Sequence, residues 1–250
     1  MKLLKVVLAS FVIASLAMTQ SSAALAAGEY NLFGTAAEVH PGHNSDTAIQ
    51  LSSVGTTSGG INFDETSVTP PVTTLATLEN LSTDYMFTAG SCGGGSPRFQ
   101  INVSTSTGTK NIFVYIGTPP NYTGCPQNAW TNTGDLLTPT SLVDTSQLGG
   151  TFYDTWANAL ANYGTFTVTG IQLVADGGWA VVGGTQTVQV DNVMINGTTF
   201  TFEDEVVDPS DKEKCMKGGW QDFTSSPGPF KNQGDCVSYF ASGGKNKASD

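Results

Sequence analysis

The chain has 250 residues, a formal charge of −11 and charged side chains at only 12% of positions. That acidic balance opposes phosphate backbones and anionic lipid heads, so nucleic-acid and membrane partners are not expected. Polarity therefore comes from Thr, Ser, Asn, Gln and Gly. Such a surface suits either plain polar strand faces or neutral partners such as glycans.

Met1-Lys2-Leu3-Leu4-Lys5, an apolar run over residues 6–18 and Ala24-Leu25-Ala26 read as an export signal cleaved after Ala26. The run is too short for a bilayer, which takes about 20 residues, so no membrane insertion is expected. Loss of Lys2 and Lys5 would leave 8 basic and 21 acidic residues, a charge of −13. The expected location is secreted, outside the cell.

Weak apolar alternation around residues 30–39 and 48–54 predicts opening strands. Further strands are expected at 60–63, 72–81 and 85–89, the first two separated by Thr69-Pro70-Pro71, which cannot continue a central strand. After the glycine-rich loop 90–97, Phe99, Ile101 and Val103 alternate with Gln100, Asn102 and Ser104, the pattern of a half-buried strand. The unbroken apolar run 112–116 predicts a strand covered on both faces. Residues 118–150 read as loop.

A helix is expected over 153–163, with Gly164 as a left-handed cap. Strands resume at 165–175 and 186–195. In the second, Val188 and Val190 fall on one phase and Val193 and Ile195 on the other, which predicts a bulge at Asp191-Asn192. Asn196-Gly197 then closes a two-residue hairpin returning through Phe200 and Phe202. The expected fold is all-β, an antiparallel β-sandwich over 27–205 with one short helix. An acidic linker (206–214), a disulfide-bonded appendage (215–240) and a disordered end (241–250) complete the predicted organisation.

Four cysteines allow three pairings, and their spacing favours Cys92 with Cys125 and Cys215 with Cys236 in an oxidising compartment. A zinc site would need cysteines two to four residues apart, which the chain lacks.

The run Gln189-Val190-Asp191-Asn192-Val193 resembles the closing strand of jelly-roll carbohydrate-binding modules and galactose-binding-like domains. That resemblance implies a jelly-roll-like sandwich, and an aspartate at the place of Asp191 that helps hold a structural calcium. The tail from Cys215-Met216-Lys217-Gly218-Gly219-Trp220 to Phe230-Lys231-Asn232-Gln233-Gly234-Asp235-Cys236 resembles a short appendage of exported microbial proteins. Together with Cys92-Gly93-Gly94-Gly95-Ser96-Pro97-Arg98-Phe99 it points to a secreted family.

Calcium takes six to eight oxygens, so Asp191 would need partners such as Glu38 or Asp46. Arg98 either hydrogen-bonds a ligand, pairs with a carboxylate across the sheets, or forms an ion pair at the rim. Tyr122, Trp130 and Trp179 either form a stacking platform for sugar rings or cap the core; Trp156 reads as core. His40-Pro41-Gly42-His43 is a turn without the glutamate of a zinc hydrolase helix. No Gly-x-Ser-x-Gly elbow is present. A glycosidase would need two carboxylates about 5–10 Å apart, with Asp64, Glu65, Asp176 and Asp191 as candidates. Three readings follow: a noncatalytic glycan-binding module, a structural or adhesive protein contacting an envelope protein partner, and a polysaccharide hydrolase.

Overall fold

The computed structural model describes residues 28–177, 184–203, 209–223 and 228–242. The expected export signal, Trp179, residues 204–208 and the end of the chain from 243 lie outside the described residues. In chain order the strands are β1 (Tyr30–Gly34), β2 (Ala37–Val39), β3 (Ala48–Val54), β4 (Gly59–Phe63), β5 (Leu81–Ala89), β6 (Arg98–Thr105) and β7 (Gly108–Tyr115). Then come β8 (Thr131–Asn132), β9 (Leu142–Val143), β10 (Asp154–Thr155), helix α1 (Trp156–Tyr163), β11 (Val168–Ala175), β12 (Thr185–Ile195), β13 (Thr198–Phe200) and helix α2 (Gln233–Ala241).

One sheet has the order β1-β4-β11-β6-β7 and the other β2-β3-β12-β5-β8, with β13 also on β12. Every pairing in them is antiparallel, and the two inner faces share one core. The fold is an antiparallel β-sandwich, as the strand pattern predicts. In the first sheet Ile61, Leu173, Phe99 and Val114 lie in one register row and all are buried. Ile49, Leu51, Val188, Val190 and Phe87 meet them from the second sheet. Each such side chain contributes about 1.5–3 kcal/mol by leaving water.

The expected bulge is present. The register of β12 against β5 shifts between Asp191 and Met194, and Asn192 has φ +47°. The extra residue resets the alternation, so Val188, Val190, Val193 and Ile195 are all fully buried. Asn196-Gly197 turns the chain between Ile195 and Thr198, with Asn196 at φ +53°.

Five local expectations are corrected. Residues 72–81 form no strand but a 3-10 turn at Leu75–Thr77. The reason lies in the spacing: Val72, Leu75, Leu78 and Leu81 recur every third residue, and all four are buried. Strand β7 is an edge strand with alternating burial, not one enclosed on both faces. Its outward Phe113 and Tyr115 are sheltered by the Arg98 side chain and by each other. The helix begins at Trp156 behind the N-cap Thr155, whose side chain accepts from the Asn158 N–H, and leaves Tyr153 outside. Gly164 is right-handed (φ −54°), and glycine is needed there because a Cβ would stand 2.5 Å from the Leu160 carbonyl oxygen. Within 118–150, which reads as loop, Leu137 and Val143 enter the core.

Both cysteine pairings are those favoured by spacing, Cys92–Cys125 and Cys215–Cys236. The C-terminal unit has its own small core of Cys215, Phe230, Cys236 and Phe240. Trp220, Phe223, Val237 and Tyr239 pack on it.

The hairpin residue Asn196 also fastens the 70–80 segment. Its Oδ1 accepts from the Glu79 N–H (2.8 Å), and its Nδ2 donates to the carbonyls of Pro70 (2.8 Å) and Thr77 (2.9 Å). Asn196→Ala loses these bonds and strains a left-handed turn. Urea unfolding is expected to show a loss of about 2–4 kcal/mol.

Candidate functional site

The inward row of the first sheet dictates what its outer face presents. One residue along each strand, Asn31, Asn62, Gln172, Gln100 and Phe113 form a second row spanning all five strands. The four amides are joined side chain to side chain. Gln100 Nε2 donates to Gln172 Oε1 (2.8 Å), Gln172 Nε2 to Asn62 Oδ1, and Asn62 Nδ2 to Asn31 Oδ1 (2.8 Å). Gln100 Nε2 also reaches Asn102 Oδ1 at 3.4 Å. Asn62 and Gln172 each use one N–H and one lone pair within the ladder, leaving one of each for a ligand. This face is half-exposed and carries no net charge along the row.

The next row places Arg98 opposite Tyr115. Arg98 Nη1 donates to Asp176 Oδ2 (2.7 Å) and to the Gly95 carbonyl (2.8 Å), and the guanidinium lies 4.6 Å over the Phe113 ring. Its carboxylate partner follows β11 on the neighbouring strand of the same sheet, rather than lying across the sandwich. Only 14% of the Arg98 side chain is exposed, so its charge is largely neutralised where it stands.

Beyond this row opens a cleft of about 340 Å³, lined by Gly94, Gly95, Tyr115, Pro120, Asn121, Tyr122, Phe152 and Tyr153. Tyr115 and Tyr122 form its wall, with ring centroids 5.0 Å apart. Tyr122 is only 7% exposed and donates its hydroxyl to the Leu142 carbonyl (3.2 Å). Tyr115 donates to Asp144 Oδ2 at 2.6 Å. Burial first, and Asp144 next, push the Tyr115 phenol well above its usual range; burial raises Tyr122 as well. Phe152 and Tyr153, by contrast, are 60% and 54% exposed. Two neighbouring aromatic rings left in water are the unusual feature here. Gly95 takes a left-handed conformation (φ +79°) at the edge of the cleft, which a side chain would strain.

A second polar cluster surrounds the β12 bulge. Asp191, fully buried, accepts from the His43 N–H (2.7 Å), the Ser45 hydroxyl (2.5 Å) and the Asn192 N–H (2.7 Å). Burial raises its pKa against these three bonds, and Glu203 adds to the rise. Asp84, its register partner, pairs with His43 Nδ1 (2.9 Å) and accepts from Asn132 (2.7 Å) and Asn192 (2.8 Å). Burial pushes Asp84 up, but the bonds from Asn132, His43 and Asn192 outweigh it and hold the carboxyl below its ordinary value. Trp130 stacks on His43 with centroids 5.0 Å apart, so one of its faces is already covered.

The structure thus brings Tyr122 and Arg98 to one side, through Gly95, and sets Trp130 and Asp191 on the other sheet. The three groups facing Asp191 are proton donors, and a calcium ion would have to displace them. Glu38 is exposed on β2 opposite Ile49, and Glu203 takes the N–H groups of Asp46 and Thr47. Among the described residues no group of three or more His, Cys, Asp or Glu side chains is placed to hold a metal ion.

Of the candidate hydrolase carboxylates, Asp64 (with Glu65 next to it in the chain) and Asp176 stand apart. Asp64 follows β4 beside the start of β11 and accepts from Thr66, whereas Asp176 follows the far end of β11. At about 3.3 Å per residue this separates them by about 15–20 Å. Asp191 is sealed in the other sheet.

Sequence reasoning reached the polar phase of β6 but not the ladder, whose members come from four strands distant in sequence. The signal was present: Asn62, Gln100, Asn102 and Gln172 all take the polar phase, as neutral amides. Tyr153 was hidden by its helical spacing to Trp156 and Leu160, and His43 by its turn.

No family model matches the chain, and no curated protein does. Among solved structures it is similar to the family 11 carbohydrate-binding module of a cellulosomal cellulase of Clostridium thermocellum. That alignment is 11% identical, covers 66% of this chain and 86% of that one, and has a TM-score of 0.38. SGBP-B from a complex xyloglucan utilization locus in Bacteroides uniformis aligns at 11% identity over 67% of this chain and 46% of its own, with a TM-score of 0.34. The xyloglucanase domain of NopAA, a type three effector from Sinorhizobium fredii, aligns at 12% identity over 68% and 97%, with a TM-score of 0.23. Likenesses this slight carry no argument; the sheet topology and the site stand on their own.

Two measurements check the bulge cluster. Chelator is expected to leave the melting temperature unmoved, and a rise on adding calcium would show that the ion displaces the three donors. Asp84, held low, stabilises the fold above its unfolded value near 3.9, and that contribution is lost as pH falls through the folded value. Asp84→Asn should therefore flatten the acid limb of the melting curve below about pH 4.

Proposed function

We propose that this chain is a secreted, noncatalytic carbohydrate-binding module that holds a neutral glycan on the outer face of the first sheet. The observation that carries the reading is the amide ladder. A sugar hydroxyl is both donor and acceptor, and Asn62 and Gln172 each offer one spare group of each kind at the spacing of neighbouring strands, about 4.8 Å.

The cleft supports it with the exposed rings of Phe152 and Tyr153, which can cover the apolar faces of pyranose rings. Arg98 is paired with Asp176, so it offers a uronate or sulfate no open charge. The acidic surface around it disfavours polyanions further. Two disulfides fit an oxidising, extracellular setting.

Affinity electrophoresis against a panel of neutral polysaccharides tests this. Retardation by at least one is expected, weakened about tenfold by Phe152→Ala with Tyr153→Ala and about fivefold by Gln172→Ala, on the order of 1 kcal/mol each. Trp130→Ala should bind as the parent does. Retardation by no polysaccharide, or its loss in Trp130→Ala alone, would overturn the assignment.

A further inference from the structure

The cations of this chain are not spread evenly. Residues 28–208 hold two of them, Arg98 and Lys110, against sixteen acidic residues, a net of −14. Residues 209–250 hold six lysines against five acidic residues, a net of +1, and up to residue 242 the four lysines and four acidic residues balance. The sandwich repels an anionic partner, and the C-terminal unit does not.

The described residues of that unit, 209–223 and 228–242, are tied together. The Cys215–Cys236 bridge and the ring cluster of Phe223, Phe230, Tyr239 and Phe240 tie its 3-10 turns (Pro209–Gln221) to α2. Between them lies an open groove of about 710 Å³, lined by Lys212, Glu213, Met216, Lys217 and Val237. Its floor is apolar and its rim charged. Met216 is 50% exposed, an uncommon state for so large an apolar side chain, and its sulfur accepts from Gln233 Nε2 at 3.3 Å. Lys212 and Lys217 are exposed beside it. Lys217 is held at φ +54°, a left-handed conformation that costs a non-glycine residue on the order of 1 kcal/mol.

We infer that this groove docks an acidic protein segment that inserts an apolar side chain between Lys212 and Lys217. Charge complementarity selects the partner's sign. The apolar floor selects a peptide over a bare polyanion, because a polyuronate or polyphosphate would leave Met216 and Val237 facing water. Methionine suits the task, since its unbranched, polarisable side chain adapts to different apolar groups.

The test is fluorescence anisotropy of the full chain with a labelled random copolymer of glutamate and tyrosine, beside polyglutamate and polygalacturonate. The copolymer should bind at least tenfold more tightly than either plain polyanion, and more weakly as salt rises. Lys212→Glu with Lys217→Glu, and separately Met216→Ser, should each weaken it about tenfold. Lys212→Gln with Lys217→Gln, a gentler change less prone to disturb folding, should weaken it in the same direction. Retardation by neutral polysaccharide should be unchanged throughout. Equal binding of the plain polyanions, no binding of the copolymer, indifference to Met216→Ser, or self-association of the chain abolished by the lysine changes would each overturn the inference.

Discussion

The outer face of the first sheet depends on the register of β4, β11 and β6. Strand side chains alternate with period two, so seating Ile61, Leu173 and Phe99 in the core forces Asn62, Gln172 and Gln100 onto the opposite surface. A slip of one residue in β11 would bury an amide and expose Leu173, costing both a desolvated polar group and a core contact. The core therefore specifies the polar face without any separate device. The ladder bonds add to this by pinning each amide to its neighbour, which lowers the entropy a ligand would otherwise have to remove.

The second sheet obeys the same alternation only because β12 breaks it once. Asp191 and Asn192 take up the extra residue, and the bulge leaves a carboxylate inside the protein with its backbone turned aside. A buried carboxylate is costly unless it is well bonded. Here the 40–47 turn supplies the bonds, through His43 and Ser45, while Asn192 itself reaches Asp84. Closeness is part of the arrangement: a Cβ on Gly42 would lie 2.7 Å from Asp191 Oδ2. The cluster thus serves to fasten the first turn of the sandwich to its longest strand, and Trp130 closes over it by stacking on His43.

Legibility in the sequence followed from how local each signal is. The alternation in β6, the phase slip at Asp191 and the Asn196-Gly197 turn are each set within a few residues, and each stands in the structure where the pattern puts it. The segment 72–81 misled because apolar residues every third position resemble a strand in composition while folding as a tight turn held by Asn196. The amide ladder and the cleft were beyond reach for a different reason. Their members are up to about 140 residues apart, from Asn31 to Gln172, and meet only through sheet order, which residue patterning leaves open. Likewise the Arg98 partner could be foreseen as a carboxylate but not placed, since Asp176 becomes its neighbour only once β11 lies beside β6.

The charge distribution gives a reason for the two proposed recognition chemistries to fall on two units. A neutral polyol has no net Coulomb interaction with the −14 sandwich, so acidity there disfavours polyanions without weakening the proposed glycan contact. An acidic peptide would meet that field directly. At physiological salt the field decays over about 8 Å, so a unit with its own core and its own lysines can present a locally favourable surface on the same chain. The single guanidinium near the amide face is consistent with this division: with Asp176 on one side and the Phe113 ring beneath, it holds the loop before β6 in place and contributes little charge to the surface around it.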